Sequence, residues 1–211
     1  MKKLIYAFVI FTLLNCSSTR MVDSWRSQEY TNYIPEKVLI IGITENLTAR
    51  KKFESQLATE LKNRGVEAVE SYDVFTPTFT SLKQTEADIE KEVGKIYNTG
   101  FDAILISAVK GIDEKMTYTG DRYRTDYYWR RFGRYYYLYQ DVYFDSGYYN
   151  KYNIYTIESS LYNLKDNSDK SLVWVASYKV VDTSSINTTI NDYVKAIIKS
   201  LETQGLIDKI Y

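Results

Sequence analysis

The sequence predicts an α/β (α+β) domain on a mixed sheet of about five strands, in the order β-α-β-α-β-insert-β-β-α, with helices mainly on one face. Three observations predict it. Val38-Leu39-Ile40-Ile41-Gly42-Ile43 is an unbroken apolar run rich in β-branched residues, which suits a central strand covered on both faces. Ala49, Phe53, Leu57 and Leu61 then recur at four-residue spacing, an apolar helical stripe. Late in the chain Leu172, Trp174, Ala176, Tyr178 and Val180 alternate with more polar neighbours, the mark of a half-buried strand.

The helix carrying the stripe stops at Gly65, which is placed for a left-handed cap. Arg50/Glu54 and Glu60/Arg64 read as ion pairs on its solvent surface. Val66–Ser71 alternates as a second strand and completes a β-α-β unit with a right-handed crossover. Residues 72–82, with Pro77, read as a loop. Thr85 and Asp88 form a capping box for a helix whose apolar face is Ile89, Val93, Ile96 and Tyr97, ending at Gly100. Phe101–Val109 is a third buried strand, with Asp102 at its start as a satisfied turn residue. After a long excursion, Tyr155, Ile157, Ser159 and Leu161 alternate again, and Asp166–Lys170 reads as a hairpin turn. Ser184 or Ser185 caps a last helix faced by Ile186, Ile190, Tyr193, Val194, Ile197 and Leu201, which Gly205 ends. Leu39, Ile41, Phe53, Leu57, Ile104, Ile106, Trp174 and Ile197 are expected to be buried together.

The amino terminus has the parts of an export signal: Lys2 and Lys3, then the apolar stretch Leu4–Leu14. That stretch is shorter than the ~20 residues a membrane-spanning helix needs. Leu13-Leu14-Asn15-Cys16 resembles the lipobox of bacterial lipoproteins. The resemblance implies that residues 1–15 are removed, that Cys16 is acylated, and that the mature chain is held in a membrane by lipid. Ser17 and Ser18 follow the cysteine without an acidic residue, which by the same resemblance implies the outer membrane, with the periplasmic side favoured. Residues 16–36 read as the lipidated cysteine and a polar tether interrupted by Trp25 and Tyr30, with Trp25 packing on the domain's edge. Residues 37–211 read as a single domain.

Composition excludes several chemistries. The chain has no histidine, which removes histidine acid–base catalysis, histidine-activated nucleophiles and histidine metal sites. Cys16 is its one cysteine, so no disulfide forms within the chain. The 27 basic and 27 acidic side chains balance, which argues against a general polyanion binder, and export argues against nucleic acid. Asp113, Glu114, Glu158, Glu90 and Glu92 read as solvated surface charges; no carboxylate pair, metal cluster or phosphate loop stands out, and no cofactor is implied. Tyrosine is the anomaly, at 22 residues. It is concentrated in an insertion at about 118–152, read as a long hairpin or loop that leaves the domain. There Tyr123, Tyr127, Tyr128, Trp129, Tyr135, Tyr136 and Tyr137 interleave with arginines that include Arg130 and Arg131, a composition found at binding surfaces.

Three stretches carry a family resemblance: Arg64–Ser71, Gly100–Ser107, and Lys170-Ser171-Leu172-Val173-Trp174. With the element order, they are similar to an uncharacterised family of small Gram-negative lipoproteins and to the α/β domain of TolB-type amino-terminal regions and of curli-secretion and penicillin-binding-protein-activator lipoproteins. The resemblance spans about 150 residues, the size of one domain, and its motifs are structural. It implies a non-catalytic outer-membrane lipoprotein whose domain binds or scaffolds envelope proteins. A domain that binds peptidoglycan or another envelope glycan through the Tyr-rich insertion is the alternative, and a carboxylate-based hydrolase a remote one.

Acylation needs the Cys16 thiol. Metabolic labelling with an alkyne fatty acid should mark the wild type and leave Cys16→Ala unlabelled; equal labelling of both would refute the anchor.

Overall fold

Strand β2 (Lys37–Ile43) lies one strand in from an edge of the sheet, and every residue after Lys37 is buried. It pairs in parallel with β3 (Glu67–Glu70) on one side and β4 (Ala103–Asp113) on the other. Beyond β4 the sheet is antiparallel, through β5 (Ile154–Asn163), β6 (Leu172–Val181) and β1 (Thr19–Arg26). The six-stranded order is β1-β6-β5-β4-β2-β3. The structure, a computed structural model, describes residues 17–113, 132–139, 154–166, 171–181 and 185–210.

Strand alternation divides the core in two. Val38, Ile40, Ala103 and Leu105 face α1 (Leu47–Lys62) and α6 (Ile186–Thr203), packing with Phe53, Leu57, Trp174 and Ile197. Leu39, Ile41, Ile104 and Ile106 point the other way, toward Ile89 and Ile96 of α4 (Glu86–Asn98) and Phe132 and Tyr136 of α5 (Phe132–Tyr139). All eight expected core residues are buried, but in two layers. The expectation of helices mainly on one face is corrected, because apolar residues at both parities of β2 and β4 need cover on both sides.

Local chemistry sets most boundaries as read. Asn46 caps α1 by accepting from the Ala49 N–H, and Ser185 caps α6 by accepting from the Thr188 N–H. The Thr85–Asp88 capping box is formed at α4. Gly65 (φ +79°) and Gly205 (φ +66°) end their helices in the left-handed region that glycine adopts without strain. Asp102 accepts from the Lys37 N–H at 2.8 Å and so ties the starts of β2 and β4 together.

Three readings change. The stretch read as a polar tether contains β1, a sixth strand hydrogen-bonded along β6. Its residues are mostly exposed, as on an edge, so no alternation marks it. Trp25 does pack on the domain's edge, against the α4/α5 layer. The loop at 72–82 holds two short helices, α2 (Ser71–Val74) and α3 (Pro77–Ser81), the second capped by Thr76 with Pro77 at its first position. Part of the Tyr-rich insertion is neither hairpin nor surface loop: α5 lies on the sheet with Phe132 and Tyr136 buried.

Phe53 is 6% exposed and stacks on Tyr193 at 5.5 Å between ring centres. Phe53→Ala should cost about 3–5 kcal/mol in chemical denaturation, through lost burial and the cavity left behind, and a loss below about 1 kcal/mol would contradict this packing.

Candidate functional site

The last rung between β2 and β3 joins Ile40 to Glu70, after which the chain turns into α2 at Ser71. Gly42 lies beyond that rung. Its N–H donates to Glu54 Oε1 at 2.9 Å, and the Ser71 N–H donates to Glu54 Oε2 at 2.8 Å. The Ser71 hydroxyl lies 2.8 Å from both carboxylate oxygens, and Arg50 Nε donates to Oε1 at 2.9 Å. Arg50 also donates to Ser71 Oγ at 2.7 Å. Glu54 and Ser71 are 0% exposed and Arg50 5%. A Cβ at Gly42 would sit 3.2 Å from the Phe53 ring, so a side chain there would press on that ring, and 3.6 Å from Glu54 Oε1, in ordinary contact.

This overturns the reading of Arg50/Glu54 as a surface pair. Spacing of four residues is the same for exposed and buried pairs. The usable signal was position: Glu54 stands between Phe53 and Leu57 of the apolar stripe. Glu60 keeps its pair, since Arg64 bonds both Glu60 at 2.6 Å and Glu202 of α6 at 2.7 Å.

Beside the Glu54 cluster is a cavity of about 260 Å³ between α1, α6 and the sheet. Gly42 and Ser107 form its floor; Phe53, Tyr155, Ile157 and Ile190 are among its walls. It lies at the carboxyl end of β2, where the β2–β4 ladder ends at Ile43 and Ala108. There the chain, having left β2 for β3 on one side, returns to β4 on the other, the switch point at which open α/β sheets receive ligands. Ser107 and Tyr193 on it are engaged through Ser159. Ser107 and Ser159 hydroxyl oxygens are 2.8 Å apart, and Ser159 and Tyr193 2.6 Å. Burial pushes the Tyr193 hydroxyl well above its ordinary pKa, so it stays a neutral hydrogen-bonding group. The arrangement suits seating a small, mainly apolar group.

The carboxylates read as solvated are not all so. Glu158 is 7% exposed and pairs with Lys110 at 3.1 Å; Glu90 is exposed, and Glu92 pairs with Lys95 at 2.7 Å. Among the described residues no group of His, Cys, Asp or Glu converges as a metal cluster.

Cys16, Tyr123, Tyr127, Tyr128, Trp129, Arg130 and Arg131 lie outside the described residues. Tyr135, Tyr136 and Tyr137 fall on α5, on the face of the sheet opposite the cavity. Tyr136 is 3% exposed, its ring 5.9 Å from those of Phe132 and Phe79, which corrects its reading as a binding-surface residue. Tyr137 is 45% exposed. A second hollow of about 370 Å³ runs between α4 and α5, with Tyr97 on it.

No protein family and no curated protein matches the chain. Solved structures similar to it include the PelC dodecamer from Paraburkholderia phytofirmans, at 14% identity over 88% of this chain and 95% of that one, with a TM-score of 0.43. Lipoprotein GNA1162 from Neisseria meningitidis is 15% identical over 80% of this chain and 99% of its own, with a TM-score of 0.40. A PDZ domain protein from Parabacteroides distasonis is 10% identical over 100% of this chain and 41% of its own, with a TM-score of 0.39. These likenesses are weak, and no residue role or activity is carried over from them.

Removing one partner of a buried ion pair leaves the other uncompensated, so Glu54→Ala should destabilise the domain by about 3–5 kcal/mol in urea denaturation. Arg50→Met with Glu54→Leu removes both charges yet strands the Gly42 and Ser71 N–H groups, each worth about 1–3 kcal/mol. The double variant should therefore stay well below wild type; wild-type stability would contradict the capping role.

Proposed function

We propose that the chain is a non-catalytic outer-membrane lipoprotein, anchored on the periplasmic side through acylated Cys16, whose α/β domain binds or scaffolds envelope proteins. The cavity at the carboxyl end of β2 carries the reading. Its walls are largely apolar, and its volume of about 260 Å³ is enough to seat an apolar side chain of a partner. The buried polar groups beside it, Glu54, Arg50, Ser107 and Tyr193, already hydrogen-bond within the fold, an arrangement suited to rigid binding rather than proton transfer. The sequence resemblance to secretion and activator lipoproteins of TolB-like fold agrees with it.

One observation favours the glycan alternative. Tyr97 and Tyr137 are 46% and 45% exposed on the α4/α5 face, and exposed aromatic faces stack on sugar rings.

Ala49 lies on the cavity wall, only partly buried. Ala49→Phe should fill the cavity and abolish capture of the protein partner from crosslinked envelopes while leaving the thermal midpoint unchanged. Undiminished capture would move the contact elsewhere, and co-sedimentation of wild type with purified peptidoglycan, lost on replacing Tyr97 and Tyr137 by Ala, would favour the glycan reading.

A further inference from the structure

The described fold begins immediately after Cys16, the proposed acylation site. β1 begins at Thr19, so the Cα of Cys16 is within about 11 Å of the sheet edge even with the chain fully extended. Ser18 is itself held: its N–H and hydroxyl donate to Asp192 of α6 at 2.8 and 2.9 Å, and its carbonyl accepts from the Val181 N–H at 2.8 Å. A lipid on Cys16 therefore brings this corner of the domain to the bilayer.

The side chains at that corner match a lipid surface. Met21, Val22 and Val181 are 46%, 55% and 42% exposed, three of the large apolar side chains that the described fold leaves in solvent. Arg20 stands directly across from Lys179, both exposed, where anionic headgroups attract cations. Asp23 follows beyond a bulge between Met21 and Asp23. β1 is also an edge strand, with outward backbone groups that need water or polar partners, which sets the depth at the headgroups rather than in the hydrocarbon.

We propose that the β1–β6 edge is a membrane-docking surface, with Met21, Val22 and Val181 at the headgroup–acyl boundary and Arg20 and Lys179 on anionic phospholipid headgroups. It rests on acylation of Cys16. Lipid then acts as an anchor and the protein edge as a second contact that fixes the domain's orientation, since one attachment alone leaves it free to swing.

Acylation consumes the chain's one thiol, so an introduced cysteine can be labelled alone. Acylated Val22→Cys, carrying a fluorophore quenched by bromine, is reconstituted in phosphatidylethanolamine–phosphatidylglycerol vesicles with brominated acyl chains. Glu67→Cys on β3, at the far edge of the sheet, serves as the reference. Quenching should be several-fold stronger at the Val22 position, and Arg20→Glu with Lys179→Glu should reduce it toward the reference. Equal, weak quenching at both positions would overturn the proposal. So would disulfide-linked dimers of Val22→Cys without quenching, which would mean that the edge pairs with a second copy. A parent chain that accepts the label at Cys16 and fails to float with vesicles would remove the anchor, and the docking proposal with it.

Discussion

The Glu54 carboxylate is the interaction on which the rest of the structure depends. A parallel sheet whose outer strand stops early leaves backbone donors of its neighbour without a ladder partner. Here β3 ends at Glu70, and Glu54 takes its place, accepting from the N–H groups of Gly42 and Ser71. Burying a carboxylate is costly, and it is tolerable only when its lone pairs are filled and its charge is matched. Arg50 supplies the charge and Ser71 joins the two. Three elements, β2, α1 and α2, are thereby fixed to one another through a single side chain.

The early end of β3 and the crossover to β4 create the cavity at the switch point. α1 and α6 flank it, held together at their far ends by Arg64 between Glu60 and Glu202. Val180, on the cavity wall, pairs across to Thr19, three residues after Cys16, the proposed acylation site. An anchor there would share one end of the sheet with the cavity. In the proposed function a partner seated in the cavity would meet the domain close to the membrane.

What was legible in the sequence was what periodicity and turn chemistry encode. The apolar run at Val38–Ile43, the stripe from Ala49 to Leu61, the Thr85–Asp88 box and the glycine stops all specify local structure without reference to a partner element. What was not legible depended on distant contacts. β1 has no alternation because as an edge strand it is largely exposed, and only its pairing with β6 makes it a strand. Glu54 looked like any helix-surface acid because its donors come from β2 and from the start of α2, far away in sequence. Tyr136 looked like part of an exposed aromatic cluster, but α5 places it at 3% exposure against Phe132 and Phe79. Composition in that segment indicated aromatic contact area without indicating that part of it faces the domain's own core.

Amide hydrogen exchange at Gly42 and Ser71 tests the central claim most directly. Both N–H groups lie past the end of the β2–β3 ladder, and an uncapped sheet end frays with little protection. If the Glu54 carboxylate closes this end, both amides should exchange as slowly as that of Leu105 in the middle of the sheet, through global unfolding. Exchange at Gly42 and Ser71 orders of magnitude faster than at Leu105 would show that the carboxylate does not hold the sheet end closed.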